Sequence, residues 1–357
     1  VTQIAVVGVG LVGGSIGIAA RERLGARVRG FDPGDGVLDA AQERGALDDA
    51  AASVADAVAG ADVVFVAAPV GALPGLVAAA LAAAGPGAVV TDVGSTKRAI
   101  VAATSDPRFV GGHPLAGAET AGVAHARGDL FDEATWYLTP TDQTAGDGYE
   151  RLHRTIAALG ALPTAIGADA HDRLMAGVSH LPHVLANVLV SQVAAAQREG
   201  GEHLPAAGPS FRDATRVAGA NPAIWTDIYR SNRDVIAAGI DDTVARLQAV
   251  RDALAADDVP AIEAWNTAAA HDRRALLERE LTGGPVHELR ASVPNRPGVV
   301  AEVALELGRA GIGIVDMALY PAQDARAGVI ALWIAGDAET DRAQGLVEAL
   351  GYPVGRP

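Results

Sequence analysis

The chain has no cysteine and a single lysine, Lys97, in 357 residues. The first absence excludes disulfides and thiolate-held metals. Positive charge is short as well: 28 Lys and Arg stand against 43 Asp and Glu, for a formal net charge of -15. A nucleic-acid partner needs a basic face, so none is expected, whereas a small anion needs only a local cluster of Arg. Long apolar runs are also missing. Asp62, Pro69, Pro74 and several glycines interrupt the most apolar region, so no bilayer span is expected. The start, VTQIAVVG, lacks a basic n-region and runs straight into a strand pattern, so a signal peptide is not expected and a soluble cytoplasmic protein is the default. The hydrophobic share of 50% is inflated by alanine. The length predicts two or three domains.

What is present begins with a short β-rich run at 3–7, QIAVV, followed by GVGLVGGS. Gly8, Gly10 and Gly13 have the G-x-G-x-x-G spacing, and a helical apolar pattern follows through Ile16 and Ala20 to Leu24. A second β-rich run, 27–31, ends at Asp32, 19 residues after Gly13. Gly8 permits a tight turn, Gly10 lets the backbone reach a pyrophosphate, and Gly13 lets helix and strand pack closely. The helix N-terminus would hold the phosphates. Asp32 would accept hydrogen bonds from the adenosine ribose, and no Arg follows it closely to take a 2′-phosphate, so the cofactor reads as NAD. Strands at 62–68 and 88–91, with a helix over 70–84 between them, continue a doubly wound parallel sheet, which binds ligands at its carboxyl edge.

Two stretches fall on that edge. After Asp92, Ser95 and Lys97 read as a hydroxyl and a cation near the nicotinamide, or as an N-cap serine opening the helix through Ala99 and Ile100; both can hold. The segment GGHPLAGAE, 111–119, reads as a strand end opening into a loop. Its small residues admit a ligand to the backbone, and His113 is of the type that accepts a proton near neutral pH. A structural histidine beside a turn is the competing reading. Strands at 135–138 and 162–166 flank a helix at 149–159, and the sheet domain is expected to end near 168.

From 170 to about 281 the periodicity is helical, with breaks near 200–210 and 219–222. His180 and His183 are three apart and share a face, as substrate contacts or as structural histidines. No third ligand at a zinc spacing accompanies them, so no metal is expected. Arg212 and Arg216 are four apart with Asp213 beside them; an Arg there can clamp a carboxylate through two parallel bonds, or the stretch is a solvated charged face. Asn221-Pro222 marks a helix restart. Long amphipathic helices at 242–255 and 260–280 suggest packing between two copies, hence a homodimer. After a linker, 282–285, comes a βαββαβ-like pattern: strands at 286–293, 312–319, 328–334 and 352–354, helices at 298–310 and 341–350. This spacing resembles an ACT domain, a ferredoxin-like module that often binds an amino acid at the loop corresponding to Pro294–Gly298, or else only dimerises.

Together GVGLVGGS (8–15), TDVGSTK (91–97), GGHPLAGAE (111–119), HDRLMAGVSHLPH (171–183) and FRDATRVAGANPAIWTDI (211–228) resemble the TyrA family of prephenate and arogenate dehydrogenases. The resemblance implies an α/β Rossmann-type NAD-binding domain at 1–168, an all-α substrate and dimerisation domain at 169–281, and an α+β ferredoxin-like, ACT-like domain at 285–357. It implies that His113 is catalytic with Ser95 as its neighbour, and that Arg216 clamps the ring carboxylate. Glu119, Asp172, His183, Asp213 and Trp225 would line or gate the pocket. The implied substrate is a small anionic cyclohexadienyl compound that loses hydride to NAD and then carbon dioxide, giving 4-hydroxyphenylpyruvate from prephenate. An aromatic amino acid would be the effector of the ACT-like domain. Arogenate or an amino-substituted prephenate are alternative substrates, and Arg212 is an alternative to Arg216. A β-hydroxyacid dehydrogenase would place a lysine in its helical domain, where this chain has none. A non-catalytic NAD and amino-acid sensor is disfavoured by the presence of His113, Ser95 and Arg216.

Overall fold

A computed structural model describes residues 2–117, 120–200, 208–278, 285–321 and 327–357. The chain divides into two compact units: residues 1–172 with 284–357, and residues 173–283.

The first unit is built on an eight-stranded sheet. Its strands are β1 (Gln3–Val7), β2 (Arg27–Phe31), β3 (Asp49–Ala50), β4 (Val63–Val66), β5 (Val89–Asp92), β6 (Phe109–Pro114), β7 (Thr135–Thr139) and β8 (Leu162–Ala165). The order is β3-β2-β1-β4-β5-β6-β7-β8. The first two crossovers, β1 to β2 and β2 to β3, run out to one edge and the third returns to the other side of β1, so the order reverses between β1 and β4. That switch point opens the crevice in which such sheets hold ligands. The unbroken Val-Val-Phe-Val of β4 suits a strand covered on both faces, and every residue of β4 and β5 is buried.

One departure from the expected parallel sheet is β7, which runs antiparallel to β6. A parallel return needs a crossover of a dozen or more residues that is usually helical. Between β6 and β7 only a three-residue 3-10 turn forms among the described residues, at Val123–His125. Trp136 on β7 is fully buried against Phe131 and Phe65, at ring distances of 5.1 and 6.0 Å. Helix α1 (Leu11–Leu24) follows β1, and α2 (Val37–Glu43), α3 (Val54–Val58), α4 (Leu73–Ala83) and α5 (Arg98–Ala102) complete the first half. Helix α6 (Gly146–Ala158) begins three residues before its sequence-based start, because Gly146 and Gly148 obscure the pattern there. Helix α7 (Ala168–Met175) closes this part of the chain.

The C-terminal module belongs to the same compact unit. Helices α13 (Val299–Arg309) and α14 (Asp337–Ala349) cover one face of an antiparallel sheet of β9 (Val286–Pro294), β10 (Asp316–Pro321), β11 (Ala327–Ala335) and β12 (Val354–Gly355). Its order, β10-β11-β9-β12, is that of a ferredoxin-like fold. Alternation in β9 and β11 turns Leu289, Ala291, Val293, Ile330, Leu332 and Ile334 into the core. Strand β10 starts four residues later than its apolar pattern suggests, since Ile312 and Ile314 are buried in the turn before it.

The module is seated on the sheet domain through glycines. Gly308 of α13 lies so close to Ala165 of β8 that a Cβ would run into the Ala165 carbonyl oxygen. Gly298 has φ +82°, and its Cβ position is 2.5 Å from the Asp142 carbonyl oxygen. His153 of α6 is buried beside this junction. Burial pushes its pKa down to about 4, with the Asp316 charge opposing. The folded value lies below the unfolded one, so this neutral ring's contribution is complete above about pH 6.5 and is lost as the pH falls through 4. The full loss is about 3 kcal/mol. Urea melts at about pH 7 and pH 5 should show a loss of about 2 kcal/mol that His153→Phe removes; an equal loss in the variant refutes this assignment.

The second unit holds α8 (Leu181–Gly200), α9 (Pro209–Thr215), α10 (Pro222–Ser231), α11 (Arg233–Ala255) and α12 (Val259–Glu278). Helix α11 starts nine residues before the expected 242. Residues 279 and 280, the end of the second expected long helix, lie outside the described residues. Asn221 caps α10, accepting a bond from Ala223 N at 3.0 Å, with Pro222 in its first turn. Val188, Leu189, Leu247, Leu254 and Trp265 are exposed on these helices. The helical stretch 168–198 is long and apolar enough to cross a membrane by length and composition alone, which amends the expectation of no such run.

Candidate active site

In the first unit the glycine-rich turn is built as its spacing requires. Gly8 has φ +93°, and a Cβ there would meet the Ala67 carbonyl. A Cβ on Gly13 would meet the carbonyl of Gly8, so strand and helix pack through it. Nothing lies within 4 Å of a Cβ on Gly10, which leaves open space beside that backbone. No side chain caps α1, whose N-cap is Gly10. Open space beside an uncapped helix start suits a pyrophosphate. Asp32 holds the turn from the next strand: its Oδ2 accepts from Val9 N at 2.8 Å and its Oδ1 from Gly34 N at 2.8 Å.

The ends of β5 and β6 lie side by side. Asp92 is fully buried and accepts from Gly94 N at 2.8 Å and Gly112 N at 3.1 Å. Lys97 is fully buried too. It is ion-paired to Asp92 and donates to the Gly112 carbonyl at 2.7 Å. Lys97 therefore holds the two strand ends together, and the reading of it as a cation presented to the cofactor is corrected. Burial pulls its pKa down, and Asp92 opposes that. Gly112 is required by the same packing, since a Cβ there would stand 2.6 Å from the Asp92 carbonyl oxygen, whereas a Cβ on Gly111 would meet the Thr139 hydroxyl of β7. Ser95 is half-buried and is not the N-cap, which falls on Lys97. The cap is supplied instead from 75 residues away, by Asp172 of α7. Its carboxylate accepts from Lys97 N at 2.7 Å and Arg98 N at 3.0 Å.

Asp172 also begins a relay. Its Oδ1 is 2.8 Å from His171 Nδ1, and His171 Nε2 is 2.9 Å from His113 Nδ1. Burial alone would raise the Asp172 pKa, but the bonds from His171 and the two backbone N–H groups outweigh it and hold the carboxyl below its ordinary range. His171 is fully buried; burial lowers its pKa despite Asp172, so the ring is neutral near pH 7. The proton positions then follow. An ionised carboxylate only accepts, so His171 carries its hydrogen on Nδ1. Its Nε2 is bare and accepts from His113 Nδ1–H. His113 is thereby fixed with a basic, hydrogen-bond-accepting Nε2. Tyr137, opposite His113 in register on β7, packs edge-on against His171 at 5.6 Å. Sequence reasoning missed His171 and Tyr137 as part of this site. The adjacent His-Asp pair at 171–172 was the available signal, since a carboxylate beside an imidazole orients it.

In the second unit His183 stacks on Trp225, with ring centroids 3.5 Å apart and planes 25° from parallel. Burial lowers the His183 pKa and the positive charge of Arg216 adds to that, so those two side chains share one electrostatic neighbourhood. His180 meets the same indole edge-on at 6.1 Å, but it is buried and bonded through Nδ1 to Asn232 at 3.2 Å. The pair is thus split: His180 is structural, and His183 is the half-buried member. A π-helical turn, Ala176–His180, leads into α8. Arg216 is the C-cap of α9 rather than a helical residue, and Arg212, Asp213 and Arg216 are exposed in the single chain. Glu119 lies outside the described residues.

Comparison with known proteins shows the family. The model of the prephenate dehydrogenase nucleotide-binding domain matches residues 16–162, and that of the prephenate dehydrogenase dimerization domain matches 167–266. A prephenate dehydrogenase of Bacillus subtilis is 31% identical over 350 residues, covering 96% of this chain and 94% of its own. A cyclohexadienyl dehydrogenase of Zymomonas mobilis is 33% identical, over 72% of this chain and 89% of its own. Among solved structures, prephenate dehydrogenase from A. aeolicus in complex with hydroxyphenyl propionate and NAD+ is 25% identical. It covers 77% of this chain and 98% of its own, with a TM-score of 0.71. Synechocystis arogenate dehydrogenase is 27% identical over 77% of this chain and all of its own, with a TM-score of 0.68. With both domain models in sequence and a relative aligned over nearly its whole length, the chain belongs to the prephenate dehydrogenase family.

Proposed function

We propose that this protein catalyses the NAD-dependent oxidative decarboxylation of prephenate to 4-hydroxyphenylpyruvate. The observation that carries the reading is the Asp172–His171–His113 relay, which leaves His113 with an acceptor nitrogen. The glycine-rich turn, with its open space at Gly10 and the carboxylate of Asp32, fits NAD, which when bound supplies the hydride acceptor. His113 Nε2 accepts the hydrogen bond of the substrate C4 hydroxyl and so stabilises the positive carbon that develops as hydride leaves. Ser95 is its neighbour at the sheet edge. Hydride leaves from C4 and the ring carboxylate departs as carbon dioxide. The hydroxyl proton passes to His113 Nε2 as the carbonyl forms, and it returns to that oxygen as the electron pair of the broken C–C bond completes the aromatic ring and gives the phenol.

Arg216 has the role of carboxylate clamp in this scheme, and Asp213, His183, Trp225 and Glu119 those of pocket residues. A bidentate guanidinium on a carboxylate contributes about 1.5–3 kcal/mol. Arg216→Ala is therefore expected to raise KM for prephenate by about 10- to 100-fold and to leave KM for NAD nearly unchanged; equal rises in both would remove the clamp role. The layout is the three-domain one, 1–168, 169–281 and 285–357, with the helical domain forming a homodimer. The C-terminal module acts as an ACT-like regulatory domain whose effector is an aromatic amino acid. Exposed Leu189, Leu247 and Trp265 support the dimer.

Arogenate is the second reading, supported by a similar identity to the Synechocystis arogenate dehydrogenase. Steady-state kinetics with prephenate and arogenate, each with NAD and NADP, separates the two. The account expects prephenate with NAD to have the highest kcat/KM.

A further inference from the structure

Strand β7 carries a phenol that the fold leaves without a partner. Trp136 and Leu138 are fully buried on one face of the strand, while Tyr137 between them is half-buried on the other. Tyr137 stands directly opposite His113 of β6, so the two side chains leave the sheet on the same face. The neighbouring pair on that face, Gly111 and Thr139, is closed over by Lys97 and Val101. His113 is half-buried like Tyr137, and the face opens where these two rings stand.

Both rings rest on His171. Its imidazole meets His113 edge-on at 5.1 Å, with planes 71° apart, and Tyr137 at 5.6 Å, with planes 82° apart. His171 is fully committed, to Asp172 through Nδ1 and to His113 through Nε2. It therefore gives Tyr137 a packing surface and no hydrogen bond. Among the described residues the Tyr137 hydroxyl has no hydrogen-bond partner, and burial raises its pKa, so it stays a neutral donor. A phenol drawn into a site normally finds an acceptor. Beside His113 the acceptor that remains is the ligand.

We propose that Tyr137 is a catalytic residue whose hydroxyl donates to the C4 oxygen of the bound substrate. The proposal rests on the prephenate reading and deepens it. Two rings on one face, braced on a common neighbour, suit one oxygen between them: His113 Nε2 accepts from it and the phenol donates to it. Tyr137 keeps its proton throughout. The C4 hydroxyl proton goes to His113 as hydride leaves. When the C–C bond to the ring carboxylate breaks, its electron pair moves through the ring toward the C4 oxygen. Negative charge gathers there until the proton returns from His113. The bond from Tyr137 is strongest at that moment, so it lowers the barrier more than it tightens binding.

The test is Tyr137→Phe, which removes one oxygen and keeps the ring against His171. Its kcat on prephenate is expected to fall about 10-fold, with KM for prephenate within about threefold and NAD affinity by calorimetry within about twofold. Inhibition by 4-hydroxyphenylpropionate and by 3-phenylpropionate reports the contact itself, since the two compounds differ only in the oxygen that Tyr137 addresses. Wild type is expected to prefer the hydroxylated compound, and Tyr137→Phe to lose about fivefold of that preference while binding 3-phenylpropionate as before. A packing role would weaken both compounds equally. Equal weakening, a preference that survives the substitution, or no preference in the wild type overturns the proposal, as does a variant kcat within about twofold of wild type. Wild type that oxidises prephenate with any of these results keeps the proposed function and removes Tyr137 from it. Wild type that shows the preference, loses it in the variant and leaves prephenate untouched keeps the contact and removes the proposed function.

Discussion

His113→Asn should lower kcat on prephenate by about 10³-fold while leaving NAD binding within a factor of about two. The asparagine keeps a polar side chain at the end of β6, so the sheet edge and its neighbour Pro114 are undisturbed. What it lacks is a basic nitrogen. An amide oxygen is a far weaker base than imidazole, so it cannot support the charge that develops at the hydroxyl-bearing carbon. The loss belongs in kcat, because the bond to the hydroxyl strengthens as hydride leaves. NAD affinity measured by calorimetry provides the control, since the glycine-rich turn and Asp32 are remote in sequence and separately anchored. A variant retaining more than about a tenth of the wild-type kcat would show that His113 is structural.

His171→Leu should cost about 10²-fold in kcat without touching the substrate. His171 is a positioning residue: it takes the His113 Nδ1 hydrogen and passes orientation from Asp172. Leucine fills the buried space of the imidazole, and Asp172 keeps its bonds to the backbone of Lys97 and Arg98, so α5 remains capped. His113 then loses the acceptor that fixes its tautomer, and part of the population presents N–H where an acceptor is required. The imidazolium of His113 also loses the support of the carboxylate beyond. The acid limb of the pH–rate profile should therefore move to lower pH, a signature that a general loss of stability would not give. An unchanged profile with reduced kcat would remove the relay and leave His171 as packing.

The sheet strands, except the two-residue β3, and the cofactor turn were legible because each rests on local chemistry. Gly8, Gly10 and Gly13 are fixed by backbone approach, and β1 and β2 coincide with their apolar runs. The βαββαβ pattern was legible for the same reason, by alternation in β9 and β11. What sequence concealed is what long-range partners decide. Lys97 read as a functional cation because nothing local shows that Asp92 and the Gly112 carbonyl enclose it. Ser95 read as a cap because the true cap, Asp172, is distant in sequence. His180 and His183 look equivalent at a spacing of three, yet Asn232 takes one and Trp225 stacks on the other. The antiparallel β7 was hidden because strand direction depends on the connection, and the stretch after His113 carries no helical pattern to announce one. The seating of the C-terminal module on α6 and β8 depends on Gly298 and Gly308, whose roles appear only when the opposing backbone is present.

The catalytic account and the fold meet at one place. Asp92 and Lys97 bind the ends of β5 and β6 together, Asp172 caps α5, and the same Asp172 sets the tautomer of His113. A single carboxylate thus couples the stability of the loop to the chemistry of the histidine, which explains why these residues must be buried rather than displayed.

The measurement that tests the central claim most directly is product analysis of wild-type protein incubated with prephenate and excess NAD. The account predicts NADH and 4-hydroxyphenylpyruvate in equal amounts, with one carbon dioxide released for each. NADH absent, or NADH formed without 4-hydroxyphenylpyruvate, would contradict it.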